Sequence, residues 1–350
     1  MTVECCHHPS STLVSDNACA EGLDVTRPPL THVQQQPMKY ALITPARDEE
    51  ALIELTLESV IAQTVRPERW VIVDDGSTDR TAEIVEGYTR RYPWMRLVRQ
   101  PRRDARHFGG KVEAFKTGLQ LLSDVEFDLV ANLDADLSFG PDHFEFLLSR
   151  FAADPTLGVA GTAYTEHDWN STTDSFEGEA SVHGACQLFR YQCYRDIGGY
   201  VANPSGGVDW IAVTTARMHG WRTRNFPERS AVHHRPMGTA QRSAVGAMFD
   251  YGKKDYFLGG SPLWEVCRVA YRVTKRPRVV GGLALLAGYC WAAATRMPRP
   301  VSPALVRFHR REQRRRLKSI FNALLSFRRV ENFYLPPDTD GRPTRPRQSI

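Results

Sequence analysis

The chain has 350 residues, 42% hydrophobic and 24% charged, with a formal net charge of +5. That is the balance of a globular protein with length enough for one large domain or two, and it excludes collagen-like or wholly disordered chains. Basic residues crowd the region from Arg268 to Lys318, and seven cysteines without regular spacing read as reduced thiols of a cytosolic protein rather than a disulfide framework.

Residues 1–38 carry neither a basic n-region nor an apolar h-region and are expected to form a disordered lead-in. Cys5-Cys6-His7-His8 lies within it, without zinc-finger spacing. Order is expected from Tyr40, where Tyr40 to Thr44 reads as a strand broken by Pro45. Asp48 is placed to cap a helix with Leu52, Leu55, Val60 and Ile61 on its apolar face. Trp70 to Val73 is a second strand, followed by a helix with Ile84, Val85 and Tyr88 inward. Met95 to Val98 is a third strand, and Gly109-Gly110-Lys111 opens a helix carrying Val112, Phe115, Leu119 and Leu122.

The apolar run Phe127 to Ala131 suits a buried strand, and Asp134-Ala135-Asp136 stands where it gives way to a loop. Ligands of open α/β sheets bind beyond the carboxyl ends of strands, and paired hard oxygens suit Mg²⁺ or Mn²⁺. The plain alternative is an acidic turn capping the helix that starts near Pro141. Further on come a strand from Leu157 to Tyr164, a polar segment from Thr165 to Gly178 read as a loop or lid, and a run from Ala185 through Ile197 closing on Gly198-Gly199. A helix follows from Asp209 to Gly220, then a strand from Trp221 to Phe226. Strand and helix alternating over short links predict a doubly wound, mostly parallel sheet with helices on both faces.

The C-terminal region changes character. Val279 to Thr295 is uncharged, about 25 Å long as a helix, and open to three readings: crossing a bilayer, lying on one, or packing on the domain. Ala304 to Phe327 sets Leu305, Phe308, Leu317, Ile320, Phe321 and Leu324 among seven basic side chains, a pattern that suits an anionic membrane surface. The expected divisions are 1–38, a catalytic domain over 39–255, a basic and apolar helical region over 256–330 and a flexible tail over 331–350.

Four strand-end motifs occur in order: Thr44-Pro45-Ala46-Arg47-Asp48-Glu49, Asp74-Asp75-Gly76-Ser77-Thr78-Asp79, Gly110-Lys111 and Asp134-Ala135-Asp136. Together, over about Tyr40 to Gly238, they resemble family 2 glycosyltransferases of the fold called GT-A, which are inverting enzymes. The resemblance implies that residues 44–49, with Thr44, Pro45, Ala46, Arg47 and Glu49, line the base and ribose of a UDP- or GDP-sugar. It implies that Asp75 accepts a hydrogen bond from the base, unless that Asp only caps its turn, and that Lys111 meets a phosphate, unless it is merely solvated. Asp136 would coordinate Mg²⁺ or Mn²⁺ on the diphosphate, with Asp134 supporting the ribose or the metal shell. Asp209, in Gly206-Gly207-Val208-Asp209-Trp210, would be the base, unless it only caps its helix; Val208 replaces the family's usual Glu. His233, His234 and Arg235 resemble a donor-side loop after the last strand, with the histidine that faces the site left open.

The implied activity is transfer of one sugar to a lipid-linked or glycan acceptor at the cytoplasmic membrane face, in cell-surface or extracellular polysaccharide assembly, and without a nucleic-acid partner. The processive Gln-x-x-Arg-Trp signature is missing from the stretch after the last strand. The alternatives are a nucleotidyltransferase and a non-catalytic nucleotide-sugar-binding or membrane scaffold protein.

Overall fold

The computed structural model describes residues 37–102, 108–166, 169–171, 178–203, 206–235, 244–273 and 278–327. The lead-in with Cys5 to His8, the tail over 331–350, Pro236 to Gly238 and most of the polar segment after Thr165 lie outside these residues.

The sheet starts from β1 (Tyr40–Ala46), which pairs in parallel with β2 (Arg69–Asp74) and β4 (Leu129–Leu133), while β3 (Met95–Arg99) extends it beyond β2. Both faces of β1, β2 and β4 are buried, and alternate residues divide between two cores. Tyr40, Leu42, Trp70, Ile72, Leu129 and Ala131 face one way; Ala41, Ile43, Val71, Val73 and Val130 face the other. This period of two, inside nearly continuous apolar runs, is what a strand covered by helices on both sides requires. Helices α1 (Ile53–Ile61), α2 (Thr81–Thr89) and α4 (His143–Ala153) supply the first core, and α3 (Phe108–Gln120) the second.

Pro45 does not break β1, which runs on to Ala46 opposite Asp74. The ladder to β4 has ended by then, at Ile43 and Asn132, so the missing N–H costs no bond on that side. Helix α1 begins at Ile53 rather than near Asp48, and its buried face is Ile53, Thr56, Leu57 and Val60, with Leu55 turned outward.

The parallel arrangement stops at β4. The sheet order is β3-β2-β1-β4-β8-β6-β9-β5, with β7 (Trp169–Asn170) on β6. Strand β8 (Cys186–Arg190) runs antiparallel to both β4 and β6 (Leu157–Glu166), and α5 (Tyr191–Asp196) and α6 (Val208–Met218) follow it. Strand β9 (Arg222–His233) lies parallel to β6, and β5 (Leu137–Phe139) pairs antiparallel with β9. The sheet is therefore mixed, and "mostly parallel" holds only for its first half. Not foreseen were β5 directly after the acidic motif, the short β7 in the segment read as a loop, and the extension of β9 past Phe226, carried through an irregularity at Pro227 to Arg229 where the register shifts.

Helices α7 (Ala244–Phe257), α8 (Pro262–Val273), α9 (Arg278–Ala294) and α10 (Pro303–Leu325) complete the described chain. Helix α9 lies close against α7: a Cβ on Gly252 would stand 1.9 Å from the carbonyl oxygen of Leu285, and one on Gly288 the same distance from that of Phe249. Gly281, Leu285, Gly288, Tyr289 and Ala292 form its buried face, so its glycines serve a helix crossing. Among the described residues no helix is long and apolar enough to cross a membrane. Helix α10, capped by the Ser302 hydroxyl, is tied to α6 by Arg217, which donates to both carboxylate oxygens of Glu312 at 2.8 and 3.1 Å, and by the edge-on rings of Trp210 and His309.

Candidate active site

Strands β1, β2 and β4 end side by side, and their loops meet at the carboxyl edge of the sheet. The loops after β1 and β2 are laced together. Asp48 donates its N–H to the Ser77 hydroxyl and accepts from the Thr78 N–H, while Glu49 and Glu50 donate to Thr81 and Asp79. These bonds hold Asp48 at φ 54°, a left-handed conformation that costs a non-glycine residue on the order of 1 kcal/mol.

The residues expected to line a base divide. Thr44 is fully buried, its hydroxyl accepting from the Trp70 indole, so its side chain belongs to the core and cannot line an open pocket. Ala46 is likewise buried, while Pro45 and Arg47 are partly open. The turn after β2 is capped by Asp74, whose carboxylate accepts from the Ser77 N–H, so capping does not account for Asp75. Arg235 makes a bidentate ion pair with Glu49, at 2.9 and 2.5 Å. The arginine expected in a donor-side loop thus ties the end of β9 to the β1 loop.

The acidic motif leaves β4 in an unusual way. Asp134 still donates its N–H to the Ala185 carbonyl just before β8, and by Leu137 the chain has joined β9. The two carboxylates therefore sit on a short link between two strands, fixed at both ends, rather than in a helix-capping turn. Lys111 pairs with the Asp134 carboxylate at 2.5 Å and also reaches the Gly184 carbonyl at 3.4 Å. Asn132 donates to the same carbonyl at 2.8 Å and lies 3.3 Å from Asp134.

Leu137 stands opposite His233, and the His234 N–H donates to the Asp136 carbonyl. His233 is consequently the last residue of a strand, not part of a following loop. Neighbouring strand residues face opposite ways, which settles which histidine looks inward. His234 turns to the Ser138 hydroxyl at 2.8 Å, whereas His233, 6% exposed, brings Nε2 within 3.4 Å of Asp136.

Ligand atoms of Asp134, Asp136 and His233 all lie within 4.8 Å of one another. Burial and then the neighbouring Asp134 push the Asp136 carboxyl above its ordinary value, against His233, Arg235 and Lys111. Burial opposes protonation of His233, yet Glu166 and the two aspartates outweigh it and raise its pKa. Two oxygen donors and one imidazole in a confined, negatively charged position suit a divalent cation, so the residues present fit one.

Asp209 stands in the first turn of α6, whose cap position belongs to Gly207. Burial opposes its ionisation, but Lys254, Lys111 and the Trp210 N–H prevail and hold its carboxyl below the usual carboxylate range. Gly184 joins this group to the acidic motif: its carbonyl takes Lys111 and Asn132, and the place of its missing Cβ is 3.0 Å from the Asp209 carboxylate.

Three contributors escaped the sequence. Glu166 lies in the stretch read as a loop, although β6 continues to it, and its carboxylate is 2.9 Å from His233 Nδ1. Gly184 gave no signal beyond being a glycine. Lys254 sits on α7, at the far edge of the expected catalytic domain, and a Cβ on Gly207 would meet its stem at 3.1 Å.

An open α/β sheet with an Asp-Asp-His cluster beyond its central strand is a GT-A-like arrangement. Residues 41–192 match the family model described as Glycosyl transferase family 2. Beta-monoglucosyldiacylglycerol synthase of Synechocystis sp. is 33% identical over 138 residues, which are 38% of this chain and 27% of that protein. Poly-beta-1,6-N-acetyl-D-glucosamine synthase of Staphylococcus aureus is 31% identical over 112 residues, 32% of this chain and 25% of that protein. The matched part spans about a quarter of the length of these curated relatives. Among solved structures, the mannosyltransferase PcManGT from Pyrobaculum calidifontis, in complex with GDP-Man and Mn2+, superposes with a TM-score of 0.51 at 20% identity, over 83% of this chain and 81% of that one. GalNAc-T7 with UDP, GalNAc and Mn2+ gives 0.52 at 13% identity, over 85% and 59%. These likenesses establish the fold.

Proposed function

We propose that the protein is an inverting glycosyltransferase that moves one sugar from a nucleotide-sugar donor, UDP- or GDP-linked, to a lipid-linked or glycan acceptor in glycolipid or polysaccharide assembly. The observation that carries this reading is the convergence, around Lys111 and Gly184, of the Asp134–Asp136–His233 cluster and the half-buried Asp209 carboxylate. A nucleotide-sugar donor is further supported by the glycosyl transferase family 2 match over residues 41–192 and by solved neighbours bound to GDP-Man or UDP.

Asp134, Asp136 and His233 would hold Mg²⁺ or Mn²⁺, which when bound offsets the charge growing on a diphosphate leaving group. Asp209 supplies the base. Its carboxylate takes the proton of the acceptor hydroxyl as that oxygen bonds to the anomeric carbon, and the electron pair of the breaking carbon–oxygen bond leaves with the diphosphate. Lys254 and Lys111 keep that carboxylate ionised before the reaction. Lys111 also neutralises Asp134, which lowers the repulsion within the acidic pair.

The test is donor turnover by the full-length protein over a panel of UDP- and GDP-sugars with Mn²⁺, with and without lipid or glycan acceptors. Chelator or Asp136→Ala should abolish turnover. Unchanged turnover in either would reject the metal assignment, and nucleotidyl transfer that survives Asp209→Asn would replace the reading altogether.

The site would work at the cytoplasmic face of an anionic membrane. Leu263 and Val266 of α8, Val279, Val280, Leu283 and Trp291 of α9, and Phe321 and Leu324 of α10 are exposed apolar side chains. Arg307, Arg311, Arg314, Arg315 and Lys318 of α10 are exposed as well. Apolar and basic side chains together suit a leaflet of acidic lipids. The four described cysteines are free thiols, in keeping with a reducing compartment. Sedimentation with phosphatidylglycerol vesicles should exceed that with phosphatidylcholine and fall in Leu283→Asp; a protein that ignores both would reject attachment.

A further inference from the structure

The strand pairings that set His233 in the cluster bring a second side chain against it. Strand β9 is held from both sides: β6 runs parallel to it with Tyr164 opposite Ala231 and Thr165 opposite Val232, and β5 closes the other edge with Leu137 opposite His233. One residue beyond the Thr165 pair, Glu166 comes level with His233. Side chains two apart share a face of a strand, so Tyr164 and Glu166 lie on one face of β6 as Ala231 and His233 do on β9.

The imidazole is confined accordingly. The Tyr164 ring packs against it at 5.9 Å between centroids, roughly edge to face. Its Nδ1 is 2.9 Å from a Glu166 carboxylate oxygen, and its Nε2 is 3.4 Å from Asp136. Both partners are largely withdrawn from solvent, with side-chain exposures of 6% for His233 and 12% for Glu166. A carboxylate at one ring nitrogen keeps the hydrogen there and leaves the lone pair on the other, the arrangement by which histidine ligands are oriented toward metals.

We propose that Glu166 is a positioning residue: it fixes the ring and tautomer of His233 so that Nε2 is presented to the space between Asp134 and Asp136, where a divalent cation would bind. This rests on the cluster's being a cation site. Glu166 itself touches neither the cation nor substrate. A purely structural role would consist in holding the end of β6 to β9, and it would show in stability rather than in metal affinity.

The experiment is titration of the full-length protein with Mn²⁺ alone, followed by the loss of the free-ion electron paramagnetic resonance signal. Thermal unfolding in chelator is recorded for every variant. Glu166→Gln should weaken Mn²⁺ binding about 10- to 100-fold. Glu166→Asp keeps the charge but withdraws the carboxylate by one methylene, so weakening there reports orientation rather than lost charge. Asp136→Ala should remove binding. Should Glu166→Gln melt early in chelator, Glu166→Asp carries the test. Wild-type Mn²⁺ affinity in Glu166→Asp, with binding lost in Asp136→Ala, would overturn the positioning role and leave the cation site standing. Wild-type affinity in Asp136→Ala would overturn both.

Discussion

Gly184 makes room for Asp209. A Cβ at residue 184 would lie 2.9 Å from the Asp209 Cβ, a separation that real Cβ atoms essentially never show, and a tight 3.0 Å from its carboxyl carbon. The contact explains why a glycine stands in the loop before β8, and it couples Asp209 to the acidic motif. Gly184→Ala should push the Asp209 carboxylate out of line and lower transfer roughly 10²-fold, the cost of about 1 Å of misplacement. Steady-state transfer beside an unchanged Mn²⁺ titration is the check; full activity would mean that Asp209 is not the base or that the loop yields freely.

Asp209→Asn keeps the shape of the first turn of α6 but cannot take a proton. Transfer should fall by about 10²- to 10⁴-fold, the range for one general base, while donor affinity by calorimetry is retained. Normal rates would remove Asp209 from the reaction.

The Arg235–Glu49 pair joins the ends of β9 and β1. Glu49 is 8% exposed at its side chain, so Arg235→Met leaves a carboxylate in a poorly hydrated place. With Arg235 itself 30% exposed, a loss of about 1–2 kcal/mol is expected, smaller than for a fully buried pair. A double-mutant cycle with Glu49→Gln, measured by denaturant unfolding, should return a coupling above about 0.5 kcal/mol. Simple additivity would show that the latch adds no stability.

His143 is 1% exposed, and neither ring nitrogen has a hydrogen-bond partner among the described residues. Burial pushes its pKa down to about 4, with Arg229 lowering it further and Asp142 opposing. Because the folded value lies below the unfolded 6.5, the unfolded chain binds the extra proton between about pH 6.5 and pH 4. Stability should therefore fall on acidification through that window, by up to about 3 kcal/mol from this group. His143→Leu should flatten that part of the profile of unfolding free energy against pH; an unchanged slope would show that the imidazole finds a partner in solution.

The crossing of α7 and α9 permits no side chain at its centre. Gly252→Ala and Gly288→Ala should each cost about 1–3 kcal/mol by overpacking and lower the melting temperature. Unaltered melts would mean that α9 shifts without penalty. Truncating the chain at Arg278 would be a poor test of membrane attachment, because α10 also covers Trp210 and Arg217 on the helix that carries Asp209. Surface substitutions such as Leu283→Asp leave that support in place.

Much was legible from the chain alone: strands β1 to β4, the helices that cover them, and the loop positions of Asp75, Asp134 and Asp136. Each is encoded within a few neighbouring residues, by apolar runs ending in turn-forming and acidic ones, and period-two burial follows from backbone geometry. The sequence likewise marked Lys111 and Asp209 as charged residues at helix starts. The tertiary structure decided what those charges meet. Lys111 pairs with Asp134, Arg235 with Glu49, and His233 rather than His234 joins the cluster; Glu166 enters only through the register of β6 on β9. The contact between Ser138 and His234 joins residues 96 positions apart, and no local pattern announces an antiparallel pairing over such a distance. The two carboxylates of the acidic motif belong to its own few residues, but its histidine is fixed by β9 lying between two strands remote in sequence.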